Sequence, residues 1–343
     1  MSSVSNANQA AAAMTEMEAP SSLRRVVRTQ LLRRREQLRQ AKPELQTPQL
    51  VRLLKEVDSA LDRIEEGAFG VCEHCHGAVE DEQLITNPLV RFCLDCLPPE
   101  QQRLLERDLE LAAQIQTRLL PKRDMRVDGW NVAFHYQPFG IVSGDYCDLI
   151  PGPDETLYFL LGDVSGKGVA SSMLMANLSA TFRTLVPLGM PLAQMVERAN
   201  RVFSESTLPM QFATLISGKV TPDGGLELVN AGHNPALVFA GDAVQVVDST
   251  AMPVGMFADQ HFEATKLKLA KGDAVLLYTD GVSEALNGES QEYGLERLIE
   301  LIAKCREATS PELLARCVDD LVAFRNGTPS LDDETLMVIQ RVI

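Results

Sequence analysis

An α+β architecture in two folded parts is predicted by three features of this 343-residue sequence. Its C-terminal two thirds holds apolar runs of strand length, bounded by Gly, Pro, Asn and Asp, with longer stretches of helical periodicity among them. Several strands followed by paired helices and then more strands fit a layered α+β domain better than a regular βαβ winding. Ahead of it come residues at helical spacing and then a turn-rich stretch carrying two CxxC pairs, which reads as a separate unit.

The elements follow in order. Residues 1–22, beginning MSSVSNANQAAAAM, have no basic n-region and no continuous apolar core, so they are expected to be a disordered tail rather than a secretory signal. From Leu23 to Ile64 apolar residues recur at helical spacing (Leu23, Val27, Leu31, Leu38, then Leu50, Leu53, Leu54, Val57, Leu61, Ile64), with Pro43 and Pro48 between them. Two helices in an antiparallel hairpin follow, the prolines marking its tip. The turn-rich cysteine stretch completes a unit of residues 23–99. A linker helix over 100–121 places Leu105, Leu109, Ala112, Ile115 and Leu119 on one arc and stops at Pro121. That stripe needs a partner, either the following domain or its twin in a homodimer. Residues 122–343 then carry the predicted strands NVAFHY, TLYFLL, FATLISG, LELVNAG, AVLLYTD and TLMVIQRV. Helices are predicted near 170–186, 192–206, 295–303 and 311–324.

Composition narrows the function classes. A hydrophobic content of 45% supports a sizeable core, and a net charge of −15 disfavours non-specific attraction to nucleic acid or anionic membrane. The average hides a polarity: Arg24, Arg25, Arg28, Arg33, Arg34, Arg35, Arg39 and Lys42 face only Glu36 within residues 23–42. No segment has the ~18 consecutive apolar residues of a membrane span. With 7 cysteines, of which Cys147, Cys305 and Cys317 stand alone, a reduced, cytoplasmic setting is expected.

Cys72 and Cys75 are separated from Cys93 and Cys96 by 17 residues, a spacing that lets four thiolates converge on one structural Zn²⁺. Four sulfurs close the shell, so His74 and His76 read as bystanders. The helical hairpin running into GVCEHC and ending in FCLDC, with an N-P pair between, resembles the DksA/TraR-type zinc finger. That resemblance implies RNA polymerase as a partner of the hairpin tip. The tip here, AKPELQTPQ, lacks the paired aspartates of a polymerase-acting member, so a structural or partner-docking role is expected.

The remaining chemistry lies in VSGDYCD, LLGDVSGKG, LLYTDGVSEA and LDDETLMVI, where acids sit at junctions of strand and turn. A carboxylate at a strand end is rigidly held yet opens into a cleft, so Asp145, Asp163, Asp280 and Asp332 can converge on one pole of a fold. Hard oxygen ligands without a nearby His or thiol favour Mg²⁺ or Mn²⁺ over zinc. Cys147 reads as a half-buried strand cysteine, having no downstream arginine of a cysteine-based phosphate loop. LGDVSGKGVA imitates a nucleotide-binding P-loop but is one residue short between its glycines and ends in Gly168 rather than Ser or Thr. Lys167 is expected in solvent, and His233 as a turn histidine bonded to backbone.

In this order the motifs, with AAQIQTRLLP, FATLISG and NAGHNP, resemble the PPM family of metal-dependent protein phosphatases in its SpoIIE-type branch. The match runs from about Leu119 to Ile343. It implies a layered αββα domain, an antiparallel β-sandwich flanked by helices, that hydrolyses phosphoserine or phosphothreonine on a regulatory protein, an anti-sigma-factor antagonist. It also implies two Mn²⁺ or Mg²⁺ ions: Asp145 bridges them, Asp163 and the Val164 backbone carbonyl complete one side, and Asp280 and Asp332 the other. Asp333 is an adjacent alternative. Ser143 stands where glycine is common and Cys147 where an aromatic is common. Two ions suit the chemistry, since phosphate-monoester hydrolysis demands accelerations of up to ~10²¹-fold and charge neutralisation at phosphorus is the central need. The competing classes are a partner- or RNA polymerase-binding regulator acting through the zinc module, and a scaffold with an inactive phosphatase fold.

Overall fold

The computed structural model describes residues 21–39, 48–79, 83–84, 87–96, 99–121, 125–127, 129–208, 211–241 and 243–343. The predicted tail up to residue 20 and the hairpin tip around Pro43 lie outside them. The chain divides into two compact units, residues 1–107 and 108–343.

In the first unit, α1 (Ser21–Arg39) packs on α2 (Pro48–Glu65) as a helix pair. Ser21 and Ser22, expected as the end of the tail, already belong to α1. Pro48 does not sit in the tip as expected but opens α2, where its missing N–H costs nothing because the first helical N–H groups have no intrahelical partner. Val27 and Leu31 meet Val57, Ala60 and Leu61, and this core continues into Phe69, Cys72, Val79, Leu84 and Cys93 of the cysteine stretch. The knuckle is therefore welded to the helices by apolar contact as well as by its own turns. Helix α3 (Pro99–Leu119) follows, and the division between the units falls within it.

The second unit is a two-sheet sandwich covered by helices on both outer faces. One sheet has the order β1-β2-β11-β10-β7-β8: Met125–Val127, Trp130–Gln137, Glu334–Arg341, Ala274–Tyr278, Ala236–Ala240 and Ala243–Val247. The other has the order β3-β4-β5-β6-β9: Asp145–Pro151, Leu157–Val164, Ala213–Val220, Gly225–Ala231 and Thr265–Lys268. Every pairing is antiparallel.

Strand alternation assigns side chains to layers. Leu157, Phe159 and Leu161 of β4 join Val275, Leu277, Met337 and Ile339 between the sheets. Tyr158 and Leu160 point the other way, onto Phe182 of α4 (Val169–Leu185) and Met195 and Phe203 of α5 (Leu192–Ser206). On the opposite face Leu276, Leu336 and Val338 meet α7 (Leu295–Ala303) and α8 (Ser310–Arg325). Both faces of the central strands are covered, which is why they read as continuous apolar runs rather than alternating ones. A short α6 (Asp280–Ser283) follows β10 directly.

Two helix boundaries set up loops that matter below. α4 starts after Gly168, whose φ of 81° lies in the left-handed region that favours glycine, so the GKG turn reverses the chain at the end of β4. α8 starts with a capping box, Thr309 and Glu312 bonding each other's backbone N–H, and ends at Asn326 in the left-handed conformation. The segment from there to β11 carries Asp332.

Candidate active site

Asp145 is the first residue of β3 and faces Asp163 on β4 as its register partner. The expected strand-end position holds for Asp163, whereas Asp145 begins its strand. From the other sheet, Asp280 opens α6 just past β10, and Asp332 lies in the turn just before β11. β10 and β11 are neighbours, with Tyr278 opposite Leu336, so these two acids leave the sheet at one end.

The sheets are tied across the site by two threonines. Thr279 Oγ1 donates to Asp145 Oδ2 at 3.1 Å, and Thr335 Oγ1 donates to the same oxygen. Thr335 N–H in turn donates to Thr279 Oγ1 at 3.0 Å. Asp145 is 1% exposed, and burial pushes its carboxyl well above the usual range, reinforced by Asp163 and Asp333 and opposed by the two hydroxyls. Burial, then Asp280, Asp332 and Asp333, raises Asp163 to about 7. Asp280 is raised by burial and by Asp332. The cause is proximity: a neighbouring carboxylate makes each of these three harder to ionise.

Asp333 and Asp332, adjacent in sequence, have different surroundings. Asp333 accepts hydrogen bonds from Phe139 N–H at 2.7 Å and Gly144 N–H at 2.9 Å, so both its oxygens are engaged in holding the 139–144 loop. Asp332 instead meets the Lys167 ammonium at 2.8 Å. Lys167 is exposed, as expected, with 58% of its side chain in solvent, yet its head also donates to the Leu331 carbonyl at 2.9 Å and stands 5.3 Å from the Phe139 ring centroid. Its acidic neighbours, led by Asp332, hold its pKa up. The acids attract the ammonium across a separation of 165 residues, which no local pattern reveals.

The donor set fits hard divalent cations. The acids around them raise the pKa values of Asp145, Asp163 and Asp280, and Lys167 is the cation that opposes this at Asp163 and Asp280. Gly144 allows a close approach here: a Cβ there would lie 3.1 Å from the Val164 carbonyl oxygen and 3.3 Å from both Asp163 Oδ1 and Ser171 Cβ. The Val164 carbonyl and the Asp163 carboxylate thus both lie against this glycine. Among the described residues only the four cysteines bring all their ligand atoms within 4.8 Å of one another.

Several neighbours escaped sequence reasoning or differ from it. Gln116 of α3 is 7% exposed and brackets Ser143, its Nε2 donating to the Ser143 carbonyl at 2.7 Å and its Oε1 accepting from the Ser143 N–H at 3.0 Å. A polar residue on an apolar helical arc was the available signal. Ser143 Oγ accepts from Asp145 N–H at 3.0 Å. Cys147 is wholly rather than half buried and packs between the sheets. His233 bonds Thr214 Oγ1 through Nδ1 at 2.9 Å, and a hydrogen bond with the Tyr278 backbone accords with the expected backbone partner. Burial lowers its pKa to about 4.

In the first unit, Cys72, Cys75, Cys93 and Cys96 form one group, with Cys75 and Cys93 sulfurs 3.7 Å apart. Tetrahedral zinc at about 2.3 Å from each sulfur requires a sulfur separation of about 3.8 Å. Hydrogen bonding with Cys93, then burial, pushes Cys96 up to about 12. The group by itself resists carrying several thiolates, and a dication would relieve that. His74 and His76 are exposed.

Comparison with known proteins adds three findings. The sequence profile described as stage II sporulation protein E (SpoIIE) matches residues 153–342. Protein IcfG of a Synechocystis strain is 26% identical over 263 residues, and phosphoserine phosphatase RsbU of Bacillus subtilis is 24% identical over 247. These alignments take in 68% and 71% of this chain but 41% of IcfG and 72% of RsbU. The SiaA-PP2C domain of Pseudomonas aeruginosa superposes with a TM-score of 0.62 at 18% identity, over 70% of this chain and 98% of that domain, a likeness of fold.

Proposed function

The chain belongs to the SpoIIE family, and from that premise we propose that residues 122–343 form a metal-dependent protein serine/threonine phosphatase domain acting on a phosphorylated regulatory protein. The observation that carries this reading is the meeting of carboxylates from two sheets, Asp145 and Asp163 from one and Asp280 and Asp332 from the other, close enough to act on one another electrostatically. Asp145, Asp163, the Val164 carbonyl, Asp280 and Asp332 are the proposed ligands of two Mn²⁺ or Mg²⁺ ions. Such ions, when bound, supply Lewis acidity that activates water and neutralises the phosphoryl group.

The protein's own residues supply position. Thr279 and Thr335 orient Asp145 by occupying one of its oxygens. Asp333 fixes the loop that leads into Asp145. Asp163, raised to about 7 by burial and its acidic neighbours, would have to release its proton to serve as a ligand. Lys167 pairs with Asp332, a contact with which a bound divalent ion would compete. Cys147 is sealed between the sheets and is no nucleophile in this scheme.

RsbU, a phosphoserine phosphatase by name, supports phosphoserine as the substrate group, and an anti-sigma-factor antagonist is the proposed substrate protein. Mn²⁺-dependent phosphate release from a phosphoserine peptide and an aryl phosphate, at least 100-fold lower in Asp280→Ala (roughly the loss seen when a transition-state charge partner is removed), is the expected result. Equal rates in that variant would remove Asp280 from the centre.

The cysteine knuckle is proposed to hold one structural Zn²⁺ through Cys72, Cys75, Cys93 and Cys96, supported by their sulfur spacing. Homodimerisation through α3 belongs to the same proposal, since Leu111 and Ile115 are 54% and 55% exposed. Sedimentation of the full chain tests it, and a monomer at all concentrations would exclude it. The RNA polymerase-binding alternative depends on the hairpin tip, outside the described residues.

A further inference from the structure

Beside the carboxylates lies a cavity of about 290 Å³ whose walls are almost entirely apolar. Leu109 of α3, Phe139, Ile141, Val142 and Val169 at the start of α4 line it, together with Lys167 and Asp332. Phe139, Ile141 and Val169 are 54%, 51% and 46% exposed, an open cost for large apolar side chains within one small area. Its volume sits at the lower bound of cavities that hold free small molecules, so it suits a side chain better than a cofactor.

We propose that this cavity receives an apolar side chain of the phosphoprotein substrate, next to or near the phosphorylated residue, and thereby sets sequence preference. The inference rests on the phosphatase reading and deepens it. Three observations select this occupant. The cavity and the carboxylate centre share Asp332 and Asp333, so a segment lying in one reaches the other within about three residues of extended chain. The wall is tethered to the centre: the Asp333 carboxylate holds Phe139 N–H and Gly144 N–H together, fixing the loop that carries Ile141 and Val142. The rim is acidic, with Lys167 already engaged by Asp332, so an acidic side chain of the substrate would meet repulsion where an apolar one meets apolar surface.

The test is a set of phosphoserine peptides in which Leu, Gly or Glu is placed in turn at each position from three before to three after the phosphoserine. They are assayed with the full chain and Mn²⁺, beside an aryl phosphate. At one or two positions kcat/KM is expected to follow Leu over Gly over Glu, with Leu about tenfold above Gly, the order of discrimination an apolar pocket gives. In Ile141→Ser and, separately, Val169→Ser, the Leu-to-Gly ratio at those positions should fall towards one; a ratio within each enzyme is insensitive to any general loss of activity. Uniform turnover of all peptides by the wild type, with aryl phosphate hydrolysed, overturns the cavity's role and leaves the phosphatase intact. A Leu preference unchanged in both variants also overturns it, placing the selectivity elsewhere. Absence of metal-dependent turnover on every substrate removes both readings together.

Discussion

Asp145 would be an isolated buried acid were it not for two hydroxyls. Thr279 and Thr335 both donate to its Oδ2, and removing one leaves the carboxylate free to rotate. Replacing a partner of this kind typically lowers metal affinity or turnover 10–100-fold. Thr335→Val, nearly isosteric, is therefore expected to weaken Mn²⁺ binding by about tenfold or more, measured by titration calorimetry, while the far-ultraviolet circular dichroism stays that of the wild type. His233 makes a prediction about pH. Its folded pKa of about 4 lies below the reference 6.5, so between these values the unfolded chain takes up a proton that the native state refuses. Stability from this group is complete above pH 6.5 and is lost as pH falls towards 4, by about 3 kcal/mol in all. Urea denaturation across that window should show a shallower fall in His233→Asn; an identical fall would assign acid sensitivity to other groups.

At the level of elements, the C-terminal half of α3 lies within the second unit and is tied to it by Gln116 and Leu119. Gln116 pairs both backbone groups of Ser143, the residue before Gly144 and Asp145, and Arg183 of α4 donates to the Leu119 carbonyl at 2.6 Å while bridging to buried Asp148. Gln116→Ala strands a buried N–H and a buried carbonyl, an expected loss of about 2 kcal/mol in stability. It also frees the loop leading into Asp145, so kcat should drop together with the urea midpoint; an unchanged kcat would uncouple the helix from the centre. What the sequence made legible follows the same logic of local against distant contact. The central strands announce themselves, because burial on both faces leaves runs such as LYFLL and AVLLY without polar interruptions. β3 was foreseen only as the strand carrying Cys147, its extent hidden because Asp145 and Asp148 break its apolar run, and the edge strands AVQVV and TKLK are short and half exposed. The carboxylates could be picked out by their place at strand ends. Their company could not: Lys167, Asp333, Thr335 and Gln116 reach their partners across long stretches of chain, and only the packing of the two sheets brings them there.

The whole molecule joins two units of different construction, and each should lose structure by its own route. The first has a small core, Val27, Leu31, Val57, Ala60, Leu61 and Phe69 with two of the cysteines, and the proposed zinc would contribute a large share of its stability. A zinc-selective chelator with Mn²⁺ in excess is expected to remove a low-temperature calorimetric transition and leave that of residues 108–343 in place; a single transition unaffected by the chelator would mean that the knuckle is held by its apolar core. In the second unit, Asp145 and Asp163 ride on one sheet while Asp280 and Asp332 ride at the end of the other. The spacing of the carboxylates is thus a vernier, reading how far one sheet has slid against its neighbour. Side chains between the sheets, such as Phe159 and Met337, set that reading from a distance. Mg²⁺ demands near-ideal octahedral geometry at about 2.0–2.1 Å, so for the proposed ions drift in this core over generations would alter the fit of their ligands well before it cost the protein its fold.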